Sequence, residues 1–154
     1  MTLLFSFSAA QLISLTYLFK PLPENPQNPD NPSLSPLPAI YQTAVAAYLR
    51  DAVAGQQLLL TLPVLPQGTP FQQRVWQAIA AIAVGQTRPY GELAKVLQSS
   101  PRAVAAACAA NPLPLIIPCH RVVAKNGLGG FIGQRDGKAV ALKRWLLQHE
   151  GAVI

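Results

Sequence analysis

Seven prolines fall between Pro21 and Pro38 in the stretch KPLPENPQNPDNPSLSPLP. Proline lacks the backbone N–H and fixes φ, so neither a helix nor a central strand runs through such a stretch. It reads as a stiff, extended connector, residues 21–38. A chain of 154 residues interrupted there divides into a short N-terminal segment, 1–67, and a domain-sized remainder, 68–154. Apolar residues make up 51% of the chain and charged residues 12%, which supplies a packed core and excludes a disordered polymer.

Charge divides at the same place. Residues 1–68 carry two basic and three acidic side chains, whereas residues 69–154 carry ten basic and three acidic, a net of +7. A basic C-terminal half implies either a polyanionic partner bound there or a solvated basic face. The two cysteines, Cys108 and Cys119, exclude a disulfide framework, and two histidines with no CxxC argue against structural zinc. The opening residues lack a basic n-region, and Ser6, Ser8, Gln11, Ser14 and Thr16 interrupt their apolar run. No run approaches the roughly 20 residues of a spanning helix, so a cytoplasmic, reduced protein is expected.

Ile13, Leu15, Tyr17 and Phe19 alternate as a half-buried strand. Ile40, Ala44, Val45, Tyr48, Leu49, Ala52 and Val53 keep helical spacing, with Gly55 as the expected terminator and Leu58–Leu62 as a second strand. From Gly68 the signals sharpen. Thr69, Pro70 and Gln72 predict a capping box opening a helix with Phe71, Val75, Trp76, Ile79 and Ile82 on its buried stripe. Tyr90 to Leu97 predicts a short helix, Gln98 to Ser100 a turn, and Pro101 to Ala110 a second helix capped by Ser100. That pair reads as a helix-turn-helix or an ordinary helical hairpin. Leu115, Ile116 and Ile117 form a short buried run, read as a strand stopped by Pro118, and Asn126-Gly127 marks a turn. A last helix starts near Gly137, with Val140, Leu142, Trp145 and Leu146 as its apolar positions and His149 and Glu150 at its end.

Cys119 follows the buried run in Pro118-Cys119-His120-Arg121. An adjacent histidine, directly or through water, can take a thiol proton and leave the nucleophilic thiolate. Arg121 among apolar neighbours demands a partner if buried. Glu150 completes a nucleophile–base–orienter trio only if the fold brings the last helix to this loop. Cys108, among alanines on a helix, reads as a core residue. Beyond Arg102, the helix Ala103 to Ala110 carries no side chain able to read base edges. It is an alanine-rich core helix with one surface arginine, or a bare face for close approach to a narrow groove with one cation to insert.

The residues Thr69-Pro70-Phe71-Gln72 to Val75-Trp76, Gly85 to Pro89-Tyr90-Gly91, Arg102-Ala103-Val104, Asn111-Pro112, Ile116 to Val123 and Leu146-Leu147 with Glu150-Gly151 resemble the O6-alkylguanine-DNA alkyltransferases. The resemblance spans Gly68 to Gly151. It implies an α+β fold, with a mostly helical, winged-helix-like C-terminal domain behind a reduced N-terminal α/β segment. It implies repair of double-stranded DNA by a monomer without cofactor or membrane, and because the cysteines that hold zinc in some relatives are missing here, no metal is expected. Cys119 would take the alkyl group from guanine O6, and also from thymine O4, as a permanent thioether after the nucleotide is flipped out. Tyr90 would rotate the phosphate and donate to the leaving guanine, Arg102 would fill the vacated stack, and Asn111 would brace the active-site turn. His120, through a water and backed by Glu150, would hold the thiolate. Arg102, Tyr90, Ala103, Ala106 and Arg121 would contact DNA, and Val122, Phe131 and Ile132 would line the substrate pocket. The carbonyls of Cys119 and Val122 would accept from the guanine amino group. A binder of alkylated DNA without transfer and a turnover cysteine hydrolase are the competing readings. Two departures stand out. The N-terminal segment is about 65 residues, and Phe131-Ile132 replaces the family's more usual Tyr followed by a polar or bulky residue.

Overall fold

The computed structural model describes the backbone of residues 2–8 and 11–18 and the whole of residues 38–154. The expected connector, 21–38, lies outside the described residues except for Pro38. The chain separates into two compact units, Met1–Gln67 and Gly68–Ile154.

In the first unit, β1 (Thr2–Ser8) and β2 (Gln11–Leu18) pair antiparallel, Thr2 opposite Leu18 and Ser8 opposite Gln11. The strand expected from Ile13 is present as β2; β1, in the segment tested above only for a signal or a membrane span, was not expected. Two helices follow, α1 (Ala39–Arg50) and α2 (Ala52–Leu60). The expectations of a helix stop at Gly55 and a strand at Leu58–Leu62 are both corrected. The break is at Asp51, whose extended backbone ends α1 and whose carboxylate accepts from the N–H groups of Val53 and Ala54 at 2.9 and 3.0 Å, capping α2. Gly55 sits inside α2 because α1 leaves room for nothing larger. A Cβ there would lie 2.1 Å from the Tyr48 Cα and from its backbone nitrogen. Gly55→Ala therefore forces two helix backbones apart. The gain in helix propensity, about 1 kcal/mol, is smaller than an overpacking cost of up to about 3 kcal/mol. The expected outcome is a lower urea midpoint followed by far-UV circular dichroism; an unchanged midpoint would refute the close crossing.

The second unit opens with α3 (Pro70–Ala80). Thr69 Oγ1 accepts from Gln72 N, and the Gln72 side chain accepts from Thr69 N, completing the expected capping box. Val75, Trp76 and Ile79 are buried, and the Trp76 indole N–H donates to Ala107 O at 2.9 Å. That bond ties α3 to α5 (Pro101–Ala109), the second helix of the helix-turn-helix begun by α4 (Tyr90–Val96). Ser100 caps α5 at Ala103 N, as expected. Ahead of α4, β3 (Arg88–Pro89) pairs in parallel with β4 (Val122–Val123).

Residues 115–117 do not form a strand. Pro114 and Ile117 bridge across a turn in which Leu115 takes φ +83°, although the whole run is buried as expected. The last helix, α6 (Gly137–His149), buries Ala139, Lys143, Leu146 and Leu147. Trp145, expected inward, is 45% exposed and stacks on His149 with ring centroids 5.1 Å apart. The true inward stripe passes through a lysine, which a purely apolar period cannot reveal.

Candidate active site

The nucleophile's turn is built by short bonds. Asn111, just beyond α5, donates from Nδ2 to Ile117 O at 2.8 Å and accepts at Oδ1 from Leu113 N at 3.0 Å. At Pro118 (φ −79°, ψ 63°) the chain makes an inverse γ-turn, so Cys119 N donates to Ile117 O. A single 3₁₀ turn, Cys119–Arg121, then leads into β4, with Val122 N donating to Cys119 O. Because β4 pairs with β3, the start of α4 and the Tyr90 ring arrive beside the same turn.

Glu150, the residue that ends α6, is buried and gathers two partners from the turn. Its Oε1 accepts from His120 Nε2 at 2.8 Å and from Arg121 Nη2 at 2.8 Å, and its Oε2 accepts from Arg121 Nε at 2.9 Å. Arg121 Nη1 donates to Ile82 O. The last helix does reach the loop, and Arg121 has the partner its burial demands. A carboxylate only accepts, so the His120 proton sits on Nε2 and Nδ1 keeps a lone pair. Nδ1 is buried and has no hydrogen-bond partner within the protein. Burial holds the His120 pKa below the usual imidazole value, opposed by the hydrogen bond and charge of Glu150. The ring is a neutral base at pH 7.

Cys119 lines a cavity of about 260 Å³ together with Tyr90, Phe131 and Ile132. Its thiol pKa is raised, chiefly by burial, while a hydrogen bond from Asn111 and the charge of Lys143 favour the thiolate. The Tyr90 hydroxyl is also raised well above its ordinary value, again by burial first. It stays protonated and donates weakly to Gly130 O at 3.4 Å. Phe131 and Gln134 exchange backbone bonds of 2.8 and 2.9 Å around Ile132 (φ +43°) and Gly133 (φ +78°), a tight turn with a β-branched residue in the left-handed region. That strain, carried at the lip of the cavity, is the kind found at ligand sites.

Residues 70–152 match the model of the 6-O-methylguanine DNA methyltransferase family, DNA-binding domain. The chain belongs to this family. A methylated-DNA–protein-cysteine methyltransferase of Salmonella typhimurium is 46% identical over 110 residues, 69% of this chain and 61% of that protein. The chain thus matches less than two thirds of the length of that relative. The Mycobacterium tuberculosis O6-methylguanine methyltransferase structure superposes with a TM-score of 0.72 at 32% identity, over 97% of this chain and 86% of its own. A structure of M. tuberculosis OGT in complex with DNA superposes with a TM-score of 0.70 at 28% identity, over the same shares of the two chains.

In this methyltransferase-family domain the structure brings Cys119, His120, Glu150, Asn111 and Tyr90 together. Phe131 and Ile132 reach the cavity; Val122 is fully buried and does not line it. Arg102 and Ala106 are exposed on α5 and Ala103 is half-buried. Arg121, expected to touch DNA, is corrected: it is 1% exposed and bonded to Glu150 and Ile82, out of reach of a phosphate. Two residues were missed. Lys143 Nζ, fully buried, donates to Val122 O and Leu128 O at 2.6 Å each and to Gly130 O at 3.0 Å. It staples the cavity loop to the strand after the nucleophile, and burial brings its pKa down to about 8. Cys108, expected in the core, is buried but faces the same cavity as Cys119.

Among the described residues no helix is long and apolar enough to cross a membrane.

Proposed function

We propose that the protein repairs double-stranded DNA as a monomer, moving the alkyl group of O6-alkylguanine, and of O4-alkylthymine, irreversibly to Cys119. The observation that carries this reading is a thiol lining an open cavity, next in the chain to a histidine whose Nε2 is pinned by Glu150 and whose Nδ1 is left as a buried lone pair. Through a water, Nδ1 takes the Cys119 proton, and Asn111 and the Lys143 charge hold the thiolate. The sulfur attacks the alkyl carbon; the S–C bond forms as C–O6 breaks, and the electron pair stays with guanine. Tyr90, kept protonated by burial, donates a hydrogen bond to the leaving base. A stable thioether has no route back to thiol, so each chain acts once.

The exposed face of α5 supports DNA as the partner. Arg102 and Ala106 leave a small, bare surface with one cation, suited to close approach and to filling a vacated base stack. Binding is then dominated by phosphate contacts, weakly dependent on sequence and weakened by salt. Arg102→Ala tests this. If the finger contributes about 2 kcal/mol to the flipped state, transfer from duplex DNA slows roughly thirtyfold. Reaction with free O6-benzylguanine changes little, and Arg102→Lys recovers only part of the rate, since an ammonium does not stack as a planar guanidinium does. Full rescue by lysine or by low salt would reduce Arg102 to a simple charge. Equal loss on duplex and free base would end its role as a finger.

A further inference from the structure

We propose that Cys108 and Cys119 together form a two-thiolate site, inside the cavity, for a soft monovalent cation of the Cu(I) class. Both cysteines are free and buried, and both line the same cavity of about 260 Å³, Cys108 from α5 and Cys119 from the turn before β4. Thiolate sulfur selects soft ions. Charge selects among them. Two thiolates and a monovalent cation sum to −1, which is offset by the buried Lys143 ammonium, favouring the thiolate at each sulfur, and by Arg135 at the exposed side of the cavity. A divalent ion would add a further positive charge beside these two cations. Zinc also demands about four ligands, and among the described residues no cluster of three or more His, Cys, Asp or Glu exists to supply them. Binding is a plain exchange: two S–H bonds give up two protons, two S–metal bonds form, and nothing is oxidised. The bound cation takes the lone pair of Cys119 and the space of the alkyl group, so it shuts the pocket until a competing dithiol removes it. That last consequence rests on the transfer reading; the binding itself does not.

The probe is Ag(I), a redox-inert stand-in, added to the reduced protein in the presence of excess 2-mercaptoethanol and followed by native mass spectrometry. One silver per chain is expected in the wild type, with affinity falling on the order of a hundredfold when either thiol is removed, as a chelate reduces to a single site. Cys108→Ala and Cys119→Ala are the two variants, each checked by its thermal melt. If Cys108→Ala does not fold, wild type carboxamidomethylated at Cys119 takes its place, and loss of silver is again expected. Silver held equally by Cys108→Ala, by Cys119→Ala or by the Cys119-blocked chain would overturn the proposal, as would Zn(II) held as firmly as Ag(I). A chain that transfers alkyl groups but holds no silver overturns only this site. One that holds silver but never transfers overturns only the repair function.

Discussion

Glu150→Gln is expected to lower stability by about 3–5 kcal/mol and to slow alkyl transfer on the order of a hundredfold. The stability loss comes from Arg121. Its guanidinium is 1% exposed, and the substitution removes the carboxylate charge that it meets through Nε and Nη2. The rate loss comes from His120. A glutamine amide can donate as well as accept, so it no longer forces the imidazole proton onto Nε2, and Nδ1 ceases to be a dependable base. The two effects separate in the double variant Arg121→Met/Glu150→Leu. Replacing a whole buried ion pair by apolar groups restores much of the stability. The rate stays low because leucine leaves His120 Nε2 without the acceptor that fixed its proton. Urea midpoints and second-order rates on methylated duplex read both. A Glu150→Gln protein as stable and as fast as wild type would mean that the trio is ornamental.

Lys143→Met is expected to slow transfer roughly ten- to a hundredfold while changing stability less. Methionine keeps the bulk but gives nothing to the carbonyls of Val122, Leu128 and Gly130, so the loop bearing Phe131 and Ile132 loses its tie to β4. Losing those bonds is unfavourable. Removing a buried ammonium, whose pKa burial has lowered from 10.5 to about 8, is favourable and offsets part of it. A pH profile distinguishes the staple from mere packing. Without the Lys143 charge, the Cys119 thiolate forms at higher pH, so its alkylation by iodoacetamide shifts in the alkaline direction. Stability gives a second sign. In the native protein Lys143 releases its proton near pH 8, whereas the unfolded chain holds it to the ordinary lysine range, so wild type gains stability over that interval and the variant does not. Identical profiles in the two proteins would remove Lys143 from the site.

What the sequence made legible follows the range of the forces involved. Thr69 and Ser100 announce their helices because capping is a contact of two or three residues. Cys119 and His120 are adjacent, so their chemistry was readable as a motif. Glu150 required the fold, since thirty residues separate it from His120. Gly55 misled because glycine ends helices and also permits close crossings, and only the position of Tyr48 decides between the two. Trp145, expected inward, is exposed and Lys143, not singled out in the sequence, is buried for a related reason. The carbonyls that make a buried lysine tolerable come from Val122, Leu128 and Gly130, none of them on α6. Cys108 is a core residue by composition of its helix and a cavity residue by the helix's orientation, and orientation is set by α3 through Trp76.

The most direct test is the intact mass of the protein after incubation with a large excess of duplex DNA containing O6-methylguanine, followed by peptide mapping. The expected result is a gain of one methyl group, about 14 Da, on Cys119 alone, with repair stopping at one equivalent per chain. An unmodified protein alongside continuing demethylation, or a methyl group found on Cys108, would contradict it.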